Sequence, residues 1–136
     1  MATVQTNIVR EFKDLDLNFN IHPVRKDINK HVGNLAVVNS IKNLVSINEG
    51  EKFFRSDIGG NIRSLLFENI DELVADRIKK EIEYIIVNYE PRVMQPLDNI
   101  LVVPNYDLNA FTVILEFRVV NALQPIKVTF QLMQIR

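Results

Sequence analysis

Apolar residues recur at two spacings along the chain, every three or four positions in its middle and every second position near its end. The first spacing predicts amphipathic helices and the second predicts half-buried strands. The clearest helical segment is residues 71–93, in which Asp71 is placed to accept N–H groups of the first turn. Its apolar face comprises Val74, Ile78, Ile82, Ile85 and Tyr89. A face of this kind predicts that the helix packs on another part of the fold.

This predicted helix has a forced end. Pro91 lacks an N–H and excludes Glu90 from helical backbone angles, so the chain leaves the helix at Tyr89 or Glu90. Glu90 and Arg92 then flank a rigid proline, where a carboxylate and a guanidinium can form a bidentate, partly desolvated pair. The same residues are compatible with a solvated turn that carries two ordinary charges. Both interpretations stay open on the sequence alone.

The first half of the chain predicts an extended arm and two shorter helices. In residues 12–28, four apolar residues alternate with polar ones and indicate a half-buried strand or arm: Leu15, Leu17, Phe19 and Ile21. Asn34 is placed to cap a helix over residues 35–47, which Gly50 would end in a left-handed conformation. The inner face of that helix comprises Val37 or Val38, Ile41, Leu44 and Val45. A short helical piece follows over residues 62–67.

The last third of the chain predicts a β structure. Residues 92–94 and 99–103 are short strand candidates, interrupted by Pro96 and Pro104, which favours an edge or a turn. Two longer alternating runs follow and predict an antiparallel hairpin across residues 121–125. Their apolar positions are Phe111, Val113, Leu115, Phe117 and Val119, and then Ile126, Val128, Phe130 and Leu132. A final strand with a free edge is a natural place for another chain to pair.

Together these elements predict an α+β fold. We expect two or three amphipathic helices packed on a small mixed or antiparallel sheet, with a C-terminal β-hairpin. The length of 136 residues suits a single domain over 1–136. Within it we expect an extended arm over 1–33, a helical part over 34–90 and a β part over 91–136.

Composition excludes several classes of function. Hydrophobic residues make up 47% and charged residues 24% of the chain, which is typical of a globular protein. The net charge of −1 provides no field that would favour nucleic acid or an anionic membrane. The chain has no cysteine, so disulfides and thiolate metal sites are excluded, and this fits assembly in a reducing compartment. His22 and His31 lie on different segments without a ligand cluster, so we expect neither a metal nor a cofactor.

An enzyme that cleaves peptidoglycan is the competing class of function. A glycosidase needs two carboxylates that flank a cleft, one of them kept protonated by apolar surroundings. Glu49, Glu51 and Asp57 share the central loop, but no glutamate in the chain is followed by an aspartate nine positions later, as in phage-type lysozymes. We therefore expect no catalytic residue. A generic cytosolic adaptor remains a third possibility on physical grounds.

Several segments in order resemble one known family. They are DLDLNF, HPV, the helix that runs into NEGEKFF, the pair Gly59 and Gly60, LLFE, the long helix and YEPRV. This order resembles the lysozyme-like baseplate wedge family, which includes the gene 25 product of T-even-like contractile phages and its relatives in contractile injection systems and type VI secretion. The resemblance covers nearly the whole chain. One departure is Glu49, where many members have proline before the glycine of the first loop.

The resemblance implies a structural role. It predicts a virion protein of the tail baseplate, assembled in the host cytoplasm, with six copies around the tail axis. The implied partners are other baseplate wedge proteins and the tail sheath protein, whose polymerisation such proteins start through a region like the sheath's strand-exchange region. The residues predicted to serve assembly are Glu90, Pro91 and Arg92 at the family's signature corner, with Phe111, Val113, Leu115, Phe117, Ile126, Val128 and Phe130 of the hairpin.

Overall fold

An antiparallel sheet supports the helical part of the fold. The structure is a computed structural model that describes residues 12–16, 19–21, 23–27, 30–120 and 122–136, without the side chains of Lys30 and His31. Its elements are β1 (Lys13–Leu15), β2 (Lys30–Val32), α1 (Asn34–Ser46), α2 (Ile62–Leu65), α3 (Glu72–Tyr89), β3 (Asn99–Asn105), β4 (Ala110–Phe117) and β5 (Ile126–Met133). Strands β3, β4 and β5 form the sheet in that order, and β1 pairs with β2 in a separate ribbon. The predicted α+β class is therefore confirmed.

Helix α3 is the central helix that the sequence predicts, and it ends where Pro91 requires. Its first turn closes through a 3.0 Å bond from Ala75 N to Asp71 O, and its last through a 3.1 Å bond from Glu90 N to Ile86 O. The expected cap by the Asp71 side chain is not formed, although Asp71 does occupy the cap position. The buried face comprises Val74, Ala75, Ile78, Ile82, Ile85 and Ile86. This face packs into the main core, and α3 contacts β3.

Strand β4 is the central strand of the sheet, paired with β3 on one side and β5 on the other. Its inward side chains are fully buried: Phe111, Val113, Leu115 and Phe117. Those of β5 are only half-buried against the same core: Ile126, Val128, Phe130 and Leu132. A central strand is covered by a neighbouring strand on each side, whereas an edge strand has one uncovered side and its inward side chains stay partly accessible to solvent. The hairpin prediction is confirmed, with strand limits that differ by one or two residues.

The N-terminal arm differs most from the prediction. Leu15, Phe19 and Ile21 are exposed, whereas Asp16 is buried, so the expected apolar face is wrong for these residues. Among its described residues the arm forms the three-residue strand β1, which pairs with β2. Leu17 and His22 lie outside the described residues.

Smaller differences concern the ends of elements. Helix α1 begins at Asn34 itself, with Gly33 in the cap position, and its buried residues include the predicted Val37, Ile41, Leu44 and Val45. The chain is already extended at Ile47, so Gly50, with φ of 87°, forms a turn within the following loop instead of ending the helix.

Near the sheet, residues 92–94 contribute a single bridge from Val93 to Val119, and β3 continues through Pro104. The Gln95–Pro96 peptide bond is cis. No helix in the described part of the chain is long and apolar enough to cross a membrane. The predicted division into arm, helical part and β part stays a prediction.

Candidate assembly site at the helix corner and the hairpin edge

The corner after α3 contains a buried ion pair. The side chain of Glu90 is 2% exposed and that of Arg92 is 25% exposed. Arg92 Nε donates to Glu90 Oε1 over 2.5 Å, and its second nitrogen, Nη2, donates to Oε2 over 2.8 Å. This is the bidentate geometry that a planar guanidinium forms with a carboxylate. Of the two interpretations left open by the sequence, the structure therefore supports the desolvated pair.

Two residues that sequence reasoning did not identify complete this cluster. Ser40 of α1 donates its hydroxyl to Glu90 Oε2 over 2.5 Å. The Phe12 ring faces the other partner, with its centre 5.4 Å from Arg92 Cζ. The cluster therefore joins the N-terminal arm, α1 and the end of α3. No periodicity marks Ser40 or Phe12, because their proximity to the corner depends on how distant segments pack.

These contacts set the ionisation of the pair. Burial alone would raise the pKa of Glu90, but hydrogen bonds from Arg92 and Ser40 and the charge of Arg92 outweigh it, so that pKa lies below its ordinary value. The hydrogen bond to Glu90 and the charges of Glu90 and Asp14 raise the pKa of Arg92 against its own partial burial. Both groups are therefore charged at neutral pH.

The corner is also tied to the sheet. Met94 N donates to Arg118 O over 2.8 Å, and Val120 N donates to Arg92 O over 2.9 Å, which places the chain after Pro91 beside the end of β4. Pro91 itself is exposed. A change at the ion pair would therefore act on α3 and on the base of the hairpin together.

The hydrogen-bond phase of the hairpin determines which backbone groups face solvent. Gln134 N donates to Asn109 O over 2.9 Å, and these two residues continue the β4–β5 register as a directly opposed pair. Hydrogen-bonded and non-hydrogen-bonded pairs alternate along an antiparallel ladder. On β5, the groups that point away from β4 therefore belong to Lys127, Thr129, Gln131 and Met133.

The opposite edge of the sheet follows the same alternation. The β4 residues that turn away from β5 bond to β3 at Asn99, Leu101, Val103 and Asn105. The groups of Ile100, Val102 and Pro104 then face outward on β3. Pro104 has no N–H to donate, which is consistent with its outward position in this pairing pattern. This edge therefore has one donor fewer. The two edges of the sheet are therefore different.

The central loop carries the carboxylates considered for catalysis. The Glu51 carboxylate accepts hydrogen bonds from Asn48 N and Nδ2, and these lower its pKa. The hydrogen bond from Arg55 lowers the pKa of Asp57. Both pKa values are therefore lowered, whereas a general acid that works at neutral pH needs a raised pKa.

A cleft of about 640 Å³ lies beside this loop. Among the described residues Glu49 is the one carboxylate in its lining, which otherwise comprises Asn48, Gly50, Ser56, Gly60, Asn61, Arg63, Ser64 and Phe67. A pair of carboxylates across the cleft, as glycoside hydrolysis requires, is not formed there. Within the described chain no group of three or more histidine, aspartate or glutamate residues is arranged to hold a metal ion.

Comparison with known proteins gives one clear sequence relative. The baseplate wedge protein gp25 of Enterobacteria phage T4 is 31% identical over 112 residues, which are 82% of this chain and 81% of gp25. No protein-family model matches the sequence.

Two solved structures share the fold. A Geobacter sulfurreducens protein that carries the provisional name tail lysozyme superposes with a TM-score of 0.65 at 20% identity, over 74% of this chain and 89% of that one. A chain of the six-fold symmetrised anti-feeding prophage baseplate superposes with a TM-score of 0.61 at 20% identity, over 93% of this chain and 88% of that one. At this identity the two structures establish the fold alone.

Proposed function

The chain belongs to the family of the baseplate wedge protein gp25, and on that premise we propose that it starts growth of the tail sheath by pairing its last strand with a strand of the sheath protein. Membership of this family supports a role as a structural wedge subunit in the baseplate of a contractile phage tail. We further propose that other wedge proteins hold the chain near the hub, in six copies around the tail axis. Assembly would take place in the host cytoplasm.

The open edge of β5 is the observation that carries this proposal. Four consecutive outward positions, Lys127, Thr129, Gln131 and Met133, leave their backbone groups unpaired along that edge within the described structure. Added strands obtain their affinity from main-chain bonds and make little demand on side-chain identity. The β3 edge is less suitable because Pro104 lacks a donor and α3 packs on that strand.

The predicted assembly residues of the hairpin have a supporting part in this proposal. Phe111, Val113, Leu115 and Phe117 are buried in the protein's own core, so they hold β4 in place and cannot contact a partner directly. Ile126, Val128 and Phe130 are half-buried, which leaves part of their surface for a sheath strand that extends over the edge. The Glu90–Arg92 pair fixes the base of the hairpin through the bonds around Val93 and Val119.

We do not extend the proposal to catalysis. The lowered pKa values of Glu51 and Asp57 and the single carboxylate among the described residues lining the central cleft are unfavourable for glycoside hydrolysis. Purified protein should therefore leave peptidoglycan intact. Turnover that disappears in Glu49→Gln or Glu51→Gln would establish the enzymatic alternative.

A proline at Thr129 tests the strand-pairing mechanism. Thr129→Pro removes an N–H that points away from β4, so the hairpin's own ladder keeps its bonds while the open edge loses a donor. Thr129→Ala is the matched control, because it removes the same side chain and keeps the N–H. Purified baseplates that contain each variant are mixed with sheath protein, and sheath length is measured by electron microscopy.

Baseplates with Thr129→Pro should assemble but carry little or no sheath, whereas those with Thr129→Ala should carry sheaths of normal length. Combining Thr129→Pro with Gln131→Pro should strengthen the defect. Normal sheaths on the double proline variant would refute strand pairing at β5 and leave the wedge role intact.

A further inference from the structure

Strand β5 lacks the usual protections of an edge strand. Its eight residues, Ile126–Met133, pair with β4 without a break or a bulge. The strand contains no proline or glycine, and its one charged residue, Lys127, lies near its start. Proteins protect edge strands by keeping them short or by placing prolines, bulges and charges on them. An edge of this length without such features is suited to pair with another chain.

The open run of this edge has a defined start and end. Before it, Pro125 has no N–H to offer. After it, Ile135 N donates to Leu66 O over 2.9 Å, so the outward backbone is engaged there. Between these limits the outward groups belong to alternate residues, which are Lys127, Thr129, Gln131 and Met133. Phe130 is the midpoint of the open run.

A run with this midpoint is complementary to itself. When β5 of a second copy lies antiparallel to it, with the two Phe130 residues opposite each other, Thr129 lies opposite the partner's Gln131. In the same register Lys127 lies opposite the partner's Met133. Every outward residue then meets another outward residue, so all the open donors and acceptors of both copies are paired. A register shifted in either direction would leave some of them unpaired.

The side chains are compatible with this register on both faces of the sheet. On the outer face the two lysines at position 127 lie at opposite ends of the pair, so like charges do not meet. On the inner face the two Phe130 side chains form a non-hydrogen-bonded pair, the type in which side chains approach most closely. Phe130 is only half-buried in its own subunit. The remaining surface of each ring can therefore pack against the other.

The opposite edge of the sheet is less suitable for joining two copies. On β3, Pro104 lacks a donor within the strand, and α3 packs on that strand. Pairing β5 with the β3 of a second copy would also be a head-to-tail contact, which continues into open-ended assemblies. At a joint between two β5 strands, α3 of each copy lies two strands away, on β3. The β5 edge therefore favours a closed pair.

We propose that β5 pairs with β5 of a second copy, around a two-fold axis at Phe130, whenever no sheath strand occupies this edge. The pair itself depends on the geometry of the edge, whereas its consequence for the tail rests on the proposed function. In the pair the edge for the sheath is covered, so sheath cannot grow on protein that has not entered a baseplate.

Entry into a baseplate would separate the two copies. Subunits in a ring are related by rotation about the tail axis, which is a different symmetry from that of a two-fold pair. A single edge strand also buries less than the about 800 Å² per partner of a standard interface. The pair is therefore weak enough to separate, and the ring leaves each β5 edge open for the sheath.

Single cysteines test the register, because the chain has no cysteine of its own. In Phe130→Cys the two Cα atoms at position 130 would lie about 4.5 Å apart, a distance that a disulfide can bridge. Val128→Cys is the matched control, because Val128 is also half-buried on the inner face of β5. Its counterpart in the second copy would lie about 13 Å away. Under mild oxidation Phe130→Cys should give a covalent dimer on a non-reducing gel, and Val128→Cys should not.

Cysteines on the exposed outer face test the same register without disturbing the core. Thr129 and Gln131 are exposed, and each lies opposite the other across the proposed joint. A mixture of Thr129→Cys protein with mass-tagged Gln131→Cys protein should therefore form mixed covalent dimers. Each variant alone should crosslink poorly, because like positions are diagonal neighbours about 7–8 Å apart, beyond the reach of a disulfide.

Sedimentation of the purified protein measures the association itself. Wild-type protein should pass from monomer to dimer as its concentration rises. Thr129→Pro should weaken this association at least about tenfold, because symmetry removes two hydrogen bonds from each pair. Thr129→Ala keeps the N–H and should associate like the wild type.

The outcomes separate this proposal from the role in sheath growth. Wild-type protein that stays monomeric at every concentration, larger oligomers, or crosslinking of Val128→Cys as efficient as that of Phe130→Cys would each refute the two-fold pair, and none of them bears on sheath growth from baseplates. Normal sheaths on the double proline variant, together with dimers of the wild type, would refute the sheath mechanism and the covering role while supporting the pair. Dimers with the expected crosslinks that dissociate in Thr129→Pro would support the proposal.

Discussion

The Phe12 ring lies over the Arg92 guanidinium, with 5.4 Å between the ring centre and Arg92 Cζ. Phe12 directly precedes β1, and its carbonyl oxygen accepts a 2.7 Å hydrogen bond from Gly33 N at the start of α1. The N-terminal arm thus shields the ion pair that closes the corner after α3. This contact between the arm and the end of α3 therefore protects the buried carboxylate of Glu90 and its partner Arg92.

Removing Arg92 should destabilise the protein far more than removing Arg118. Arg92→Ala leaves the buried Glu90 carboxylate without its partner, which costs roughly 3–5 kcal/mol in the free energy of unfolding. Arg118 is paired with Asp98, but its side chain is 56% exposed, so Arg118→Ala should cost less than about 1 kcal/mol. Urea unfolding of both variants measures the difference. Equal, small losses would mean that the corner is effectively solvated.

The Phe12 ring should contribute through its π face as well as its area. Phe12→Leu keeps most of the apolar surface and removes the interaction with the cation, so it should cost about 0.5–1 kcal/mol. A double-mutant cycle with Arg92→Met isolates this coupling. If Phe12→Leu has the same effect in both backgrounds, the ring acts only by excluding water.

Acidification should weaken the fold through Glu90. Its native pKa lies below that of the unfolded chain, so the stabilisation is fully present above the ordinary glutamate pKa of about 4.3 and is lost as pH falls through the native value. The free energy of unfolding should therefore decline below about pH 4.3, and Glu90→Gln should flatten this decline. Glu83→Gln, on the exposed face of α3, is the control and should leave the slope unchanged. Parallel slopes for all three proteins would contradict the assignment to Glu90.

The loop glycines should differ in their tolerance of a side chain. At Gly59, where φ is 138°, a Cβ would lie 2.6 Å from the backbone carbon of Asn48, so Gly59→Ala combines strain with a clash. We expect a loss of roughly 2–5 kcal/mol. Gly50 has φ of 87° with no atom within 4 Å of a Cβ, so Gly50→Ala should lose only the strain, about 1–2 kcal/mol. Thermal unfolding compares them, and equal melting temperatures would show that the chain at Gly59 can move away from the backbone of Asn48.

Local periodicity was sufficient to predict most of the main elements. Helix α3 repeats its apolar positions at the helical period, and Pro91 ends it by removing a donor, so both features were visible in the residues themselves. Apolar and polar residues alternate along β4 and β5 with exceptions such as Ile114, and this alternation predicts their pairing and their inner faces. Periodicity gave the wrong prediction for the arm. Leu15, Phe19 and Ile21 have the alternating pattern of a strand, but their side chains are exposed. Asp16 is buried there instead and accepts a 2.9 Å bond from Asn20.

The sequence by itself determined where α3 and the hairpin lie and that Glu90 and Arg92 flank a forced corner, because these features depend on neighbouring residues and on the geometry of proline. Only the tertiary structure decided that the pair is buried, because Ser40 and Phe12 reach it from segments distant in the chain. It also decided which backbone groups of β5 are free, since that depends on the phase of pairing with β4. Local order follows from the spacing of side chains, whereas burial and free edges follow from which distant segments pack together.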